Sequence, residues 1–542
     1  MTDNVNINST RQLFLDDHVV DSMEGVQRRY HRPVRPIDRP VVDADLPWEQ
    51  GPGPFLFGGT VIFDEEDRIF KMWYRTSERL ERAPGGWQEV VSEDGTTSRI
   101  SYVAGPGHWR ACYATSQDGL TWDRPDLGIE EYNGSRNNNI LPSGTGEKSI
   151  IRRPALIKDY EEPDPARRYK MAYVDQIGGE WYLAQAYSAD GVRWNMGAGI
   201  PAHFEQPILP HGAFFGWDPV NDAWIHYSKK SGKRRLDVDG RTTGGLSIYR
   251  STSPDFEHWG DTREVIARQD TDPQFWAPGS HAILSALLYT DDLFIGVSDT
   301  APSSSPEGGS AGHFTELFYS RDGVDWRRAS KFFEFLRPGL LGTWDSEFVV
   351  CSKPLVHDDE VYFYYSGNSL NCNAHTPDHP QNHLLGTEAN GVKFGYGVGL
   401  AKMRLDGFVS IDGYEPSGAL TTKPLVFEGD RIAVNARAPE KAHRDVRNAP
   451  TPYGALKVEL LTDKGDLLAG YSADDCDPFV GDDLRHTVTW NGNGDLGRLS
   501  GRPVRARFHL RNAALYSFHF RSENEPRGLA NPGEPGSRGW PV

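Results

Sequence analysis

The chain predicts an all-β protein: a five-bladed β-propeller followed by a C-terminal β-sandwich. Three observations carry that expectation. First, Ser-x-Asp-Gly-x-x-Trp occurs at Ser116–Trp122, Ser188–Trp194 and Ser320–Trp326, and Ser253–Trp259 repeats it without the glycine. The serines lie 65 to 72 residues apart, a spacing typical of repeated supersecondary units. Second, five aromatic runs (Ile69–Tyr74, Arg168–Tyr173, Ala223–Ser228, Leu293–Ser298 and Val361–Ser366) each follow another apolar run across an acidic or glycine-containing turn. Third, 57 Gly and 37 Pro with 15 Trp and 22 Tyr suit a turn-rich β protein.

Each element has a local reason. In the repeated motif an apolar strand, such as Ala111–Thr115, runs into Asp-Gly, which suits the left-handed backbone of a tight hairpin. The tryptophan beyond the turn folds back over the sheet and buries a large apolar face. Asp118, Asp190, Asp255 and Asp322 are therefore read as turn residues. Five inner hairpins, four leading to this outer element and the fifth to Arg404–Phe408, make five blades around an axis.

In chain order, residues 1 to about 10 read as disordered, and Leu13–Val20 as a strand that closes the ring by joining the last blade. The basic stretch Arg28–Pro36 crosses toward blade one. Asp43–Pro54 then enters the first inner strand at one mouth of the axial channel. Two insertions, at 83–108 and 368–383, extend from the scaffold at positions where binding sites are built. The second holds His375, His379 and His383, whose spacing matches no specific zinc pattern, so a pocket wall or surface loop is expected rather than a metal site. The propeller is assigned to 1–409, the sandwich to 410–522 and an extended tail to 523–542.

Composition narrows the function. No run reaches the roughly 18 apolar residues of a membrane helix. The start Met1–Asn8 has no basic and apolar leader, so a cytoplasmic location is expected, with a processed secreted protein as the alternative. The four cysteines are widely spaced and read as reduced and buried. A net charge of −18 argues against nucleic acid or an anionic membrane as partner, and a neutral ligand such as a sugar fits better. No cofactor is expected, and the oligomeric state is not legible.

Several strings carry a resemblance: Arg11–Asp17, Phe70–Tyr74, Asp164–Met171, Trp344-Asp345-Ser346, Asp406–Ile411, Leu484–Trp490 and Arg505–Asn512. Together they resemble a group of bacterial proteins labelled family-32-like. The propeller-plus-sandwich plan is similar to glycoside hydrolases of families 32, 43 and 68, which act on furanosides and related sugars. The resemblance spans nearly the whole chain and implies the architecture and a glycosidase. This chain departs from the family's catalytic pattern. Where an aspartate nucleophile stands in Asn-Asp-Pro-Asn, it has Phe57-Gly-Gly-Thr60, and the Arg-Asp-Pro motif falls on Arg152-Arg153-Pro154. The third motif, Glu-Cys, has no match near Gly216-Trp-Asp218.

Glycoside hydrolysis uses two carboxyl groups across the scissile bond. The expected catalytic groups lie at inner-strand entries: Glu49 before blade one, Asp345 and Glu347 before the fifth inner strand, and His281 at the entry of blade four. Strand alternation would place Asp345 and Glu347 on one side. Ring closure would bring Glu49 near them. Arg152 and Arg153 are expected to bind sugar hydroxyls or a sugar acid, and Trp48, Trp276 and Trp344 to stack on sugar rings. The alternatives are a non-catalytic carbohydrate-binding propeller, or a transferase or lyase on the same scaffold.

Overall fold

The structure, a computed structural model, describes residues 4–51, 53–77, 81–82, 88–91, 97–100, 102–103, 109–142, 152–177, 180–196, 203–204, 214–231, 235–236, 242–243, 246–266, 276–302, 312–331, 333–370, 381–389, 392–442 and 452–523. Among them there is no α-helix, only strands and short 3-10 turns.

Five sheets are built in sequence, each from a hairpin of two apolar strands extended outward. The inner strands are Phe55–Asp64, Arg152–Lys158, Phe214–Asp218, Trp276–Thr290 and Phe348–Cys351. Their partners, Ile69–Ser77, Tyr169–Ile177, Ala223–Ser231, Leu293–Pro302 and Glu360–Asn368, pair with them antiparallel. Third strands follow at Trp109–Ser116, Glu180–Ser188, Leu246–Ser253, Phe314–Ser320 and Tyr396–Arg404. Each sheet packs on the next, and the fifth packs on the first, so the ring is closed. This is the five-bladed propeller expected from the repeats.

The repeated motif makes the seams. Ser116 Oγ accepts from the Gly119 amide (2.9 Å), and Asp118 Oδ1 accepts from the Leu120 and Thr121 amides. Trp122 Nε1 donates back to Gly119 O (3.2 Å). Gly119 sits at φ +70°, the left-handed conformation that glycine adopts at no steric cost. The same bonds recur at Asp190, Asp255 and Asp322. Each turn then receives a donor from the preceding blade. Tyr364 of blade five donates to Gly119 O (2.8 Å), Trp73 of blade one to Gly191 O (2.6 Å), and Tyr227 of blade three to Gly323 O (2.5 Å). Gln185 of blade two donates to Phe256 O. In blade five, which lacks the tryptophan, Tyr289 of blade four bonds Asp406 Oδ1 (3.0 Å) instead.

Ring closure differs from expectation. Leu13–Val20 does not join blade five; Val42–Asp43 pairs with Tyr396–Arg404 and supplies its outermost strand. The reason lies in the apolar content of the earlier segment. Leu13, Phe14, Leu15 and Val19 are all buried, and the Phe14 ring lies 6.0 Å from that of Phe518. Val5–Asn8, Gln12–Leu13, Val20–Glu24 and Val26–Tyr30 pair with strands from 409–521, so the span 1–409 expected for the propeller loses its first thirty residues.

Those N-terminal strands enter two six-stranded sheets with the C-terminal region. One is built around Val504–Arg511 and the other around Ala513–Arg521. In this region Gly418–Thr422 and Leu425–Phe427 are separate strands, broken at Lys423-Pro424 because proline has no amide to donate. Asp406 ties the two regions together: it pairs with Arg11 (3.0 Å) and accepts from Ser517 Oγ (2.5 Å) as well as from Tyr289.

Candidate active site at the mouth of the ring

Strands within each blade run up and down from the axis outward, so the first residues of the five inner strands share one mouth. Phe55 and Phe348 begin inner strands one and five, and their rings stack with centroids 5.7 Å apart. Tyr396 meets Phe55 edge-on at 5.8 Å, and the Arg75 guanidinium lies over the Phe55 ring at 5.0 Å. Blades one and five thus share an aromatic wall at this mouth.

Glu347 stands on that wall, immediately before Phe348. Its amide donates to Asn368 O and its carbonyl accepts from the His313 amide, both at 3.0 Å. These bonds clamp it between the end of one strand of blade five and the start of the third strand of blade four. Its side chain is half-buried and forms no hydrogen bond or ion pair among the described residues. Burial pushes its pKa up.

Two neighbours are polar and incompletely satisfied. Asn368 is fully buried; its Oδ1 accepts from the Leu370 amide (2.8 Å), while its Nδ2 has no partner. The His313 ring lies 4.8 Å from Phe348, its Nδ1 has no partner, and burial lowers its pKa to about 4, so it is neutral at pH 7. Buried polar groups are ordinarily paired, so orphans gathered at one opening mark a place shaped for something else. Sequence reasoning missed both residues. The available signal was that His313 and Asn368 are polar residues at the mouth ends of apolar strands.

The other expected carboxylates do not join Glu347. Glu49 is wholly buried and takes three donors: Tyr74 OH (2.6 Å), Arg124 Nη1 (2.9 Å) and the Leu46 amide (3.1 Å). Burial raises its pKa, opposed by the Arg124 charge and the Tyr74 hydrogen bond. It fastens the entry loop to blade one. Asp345 is 2 % exposed and accepts from Arg35 Nε and Tyr365 OH, each at 2.9 Å, and from Thr343 Oγ1 at 3.0 Å. It pins the basic crossing segment to blade five. The alternation expected to align Asp345 with Glu347 fails because Thr343–Glu347 is a turn and the strand begins only at Phe348.

The tryptophans divide similarly. Trp48 is buried, with Nε1 donating to Asn139 Oδ1 (3.1 Å), so its face is not presented to the mouth. Trp344 stacks on Tyr365 at 5.7 Å. Arg152, Arg153 and Trp276 begin inner strands two and four, and His281 is the sixth residue of strand four; their side chains, and the histidines at 375 and 379, lie outside the described residues. Asp218 is a turn acceptor for Val220 and Asn221 and pairs with buried Arg250 (2.8 Å). No group of three or more metal-type side chains occurs among the described residues.

No family model and no curated protein matches the chain. Solved structures do. The chain is similar to a β-1,2-mannobiose phosphorylase from Listeria innocua at 13 % identity and TM-score 0.44, covering 69 % of this chain and 97 % of that one. It is also similar to an N-acetylgalactosamine deacetylase from F. plautii, with 15 % identity, TM-score 0.44 and coverage of 70 % and 96 %. A third structure is described under the GH130 family of mannoside phosphorylases containing glycoside hydrolases, with 15 % identity, TM-score 0.38 and coverage of 71 % and 94 %. The families 32, 43 and 68 expected from the sequence are not named in these three descriptions.

Proposed function

We propose that the protein is a glycan-active enzyme, a glycoside hydrolase that takes a furanoside or related sugar at the mouth of the ring and uses Glu347 as proton donor. The observation that carries this reading is the carboxylate of Glu347: half-buried, without a cation among the described residues, and raised in pKa by burial. Burial favours the protonated form of this carboxyl, the form that can deliver a proton to a leaving glycosidic oxygen. Of the two carboxyls that glycoside hydrolysis uses, Glu347 is assigned the proton-donating one. Asn368 Nδ2 donates to a sugar hydroxyl, and neutral His313 offers a second polar contact. Arg152, Arg153 and Trp276 bind the substrate, with His281 orienting it.

A broad screen of aryl glycosides and oligosaccharides with product detection tests the reading. Glu347→Gln is expected to lower turnover by about 10²–10⁴-fold while ligand binding persists. A wild-type protein that binds sugar but turns none over would support a carbohydrate-binding propeller instead. The capture of Glu49 and Asp345 by their own neighbours favours that second reading. Products lacking solvent oxygen would point to a transferase or lyase.

A further inference from the structure

A cleft of about 350 Å³ opens at the seam between blades five and one, outside the axial channel. It is walled by the entry loop around Asp38–Gly51, the turn at Gly342–Trp344, and Leu385–Glu388 with Lys393–Tyr396, and no inner-strand residue is among the described residues that line it. Its size falls within the roughly 300–1,000 Å³ of small-ligand sites. Two of its wall residues, Leu385 and Tyr396, pack in one cluster with Phe55 and Phe348. Leu385 and Tyr396 thus join the cleft wall to the aromatic wall that begins at Phe348, next to Glu347.

Its chemistry is mixed. Lys393 Nζ donates to Ala44 O (2.7 Å) and lies 3.6 Å from both Asp43 and Asp45, which fixes the floor. Arg39 and Glu388 are exposed on the rim and make no ion pair among the described residues. Phe394 contributes a half-buried ring. A polyanion would meet the carboxylates of Asp38, Asp43, Asp45 and Glu388, and a polycation would meet Arg39 and Lys393. A neutral polyhydroxyl ligand can accept from the cations, donate to the carboxylates and lay its C–H face on the ring.

We propose that this cleft is an outer carbohydrate subsite, holding a neutral sugar unit of an oligosaccharide whose reacting end lies at the Glu347 mouth. It rests on the glycan-active reading above. Of the sugar contacts expected from the sequence, Trp344 lines this cleft; the ring-closing strand and the paired strands Glu388–Ala389 and Val392–Lys393 were not among them.

The test uses the full chain carrying Glu347→Gln, so that nothing is turned over. Probes are neutral oligosaccharide ladders of two to six units prepared from mannan, arabinan and levan, with a pectin-derived anionic ladder alongside, titrated calorimetrically. Arg39→Ala and Glu388→Ala are each expected to weaken the longest neutral members by about three- to tenfold, one hydrogen bond's worth. The disaccharides should bind unchanged. Thermal midpoints should also stay put, because neither side chain holds a structural partner. Loss spread equally over all lengths, no loss at any length, or binding of the anionic ladder alone would overturn the subsite while leaving the mouth reading in place. If no ladder binds the unsubstituted protein or the Glu347→Gln variant, both readings fall together.

Discussion

The two ends of the propeller treat buried polar groups in opposite ways. At the hairpin end, Asp64 accepts from Lys158 (2.6 Å), Lys71 (2.7 Å) and Tyr169 (2.5 Å), bridging blades one and two. Lys170 pairs with Asp159 (2.9 Å) and Glu162 (2.8 Å) at the same level of blade two. At the mouth, among the described residues, Glu347 has no cation, and Asn368 Nδ2 and His313 Nδ1 have no partner. The hairpin end is closed by its own side chains; the mouth satisfies Glu49 and Asp345 but leaves Glu347, Asn368 and His313 open among the described residues. Proteins accept that cost where a ligand completes the bonding, which is why the mouth, and not the ring as a whole, is where chemistry is sought.

The largest effect should come from breaking the closed end. Burial by itself pushes the Asp64 pKa up, but hydrogen bonds from Lys158, Lys71 and Tyr169 outweigh it and hold the carboxyl well below its usual range. Asp64→Ala leaves two buried lysines short of a partner and is expected to cost about 3 kcal/mol in denaturant unfolding. Turnover per folded molecule should not change. Because the folded-state pKa is depressed, the stabilisation is present above the unfolded value near about 4 and fades as pH falls through it. The gap between wild type and variant should therefore narrow in acid. A gap below about 1 kcal/mol at pH 7 would erase the contrast between the two ends.

A smaller effect is expected at the seams. Gly119→Ala places a side chain at φ +70° with its Cβ 2.6 Å from the Tyr364 hydroxyl, so it costs backbone strain and the latch together, about 1–3 kcal/mol. Tyr364→Phe removes only the bond to Gly119 O, which Trp122 Nε1 still serves, and should cost about 1 kcal/mol. Equal losses from the two variants would show that the hydroxyl, rather than the left-handed turn, carries the seam.

Much of this closed end was legible in the sequence, because local chemistry determines it. Ser-x-Asp-Gly-x-x-Trp encodes a turn whose acceptors, left-handed residue and covering ring all lie within seven positions. What it could not convey is that Tyr364, Trp73, Gln185 and Tyr227 reach across from the preceding blade, since those bonds join residues 71 to 245 positions apart. The same limit explains the site. Glu49 and Asp345 stand at strand entries in sequence, as a catalytic pair should, but their partners Arg124 and Arg35 are 75 and 310 residues away. The ring-closing strand was misplaced for a related reason: Leu13–Val20 is more apolar than Val42–Asp43, and its apolar side chains serve the core beside Phe427 and Phe518 rather than an edge.

The smallest effect sharpens the open end. Burial raises the Glu347 pKa and no cation opposes it, so the folded state prefers the protonated carboxyl. A group raised in this way contributes its stability in full below the unfolded pKa near about 4.3, and loses it as pH rises through the folded value. Glutamine keeps the shape and carries no charge at any pH. Glu347→Gln should therefore melt with wild type at pH 4 and slightly above it at pH 7, a difference that solvent around the half-exposed side chain keeps small. Asp64→Ala has the opposite sign at neutral pH. Thermal midpoints of both variants at the two pH values decide the matter: a Glu347→Gln protein less stable than wild type at pH 7 would mean that the carboxylate already has a partner, and that the mouth is as closed as the other end.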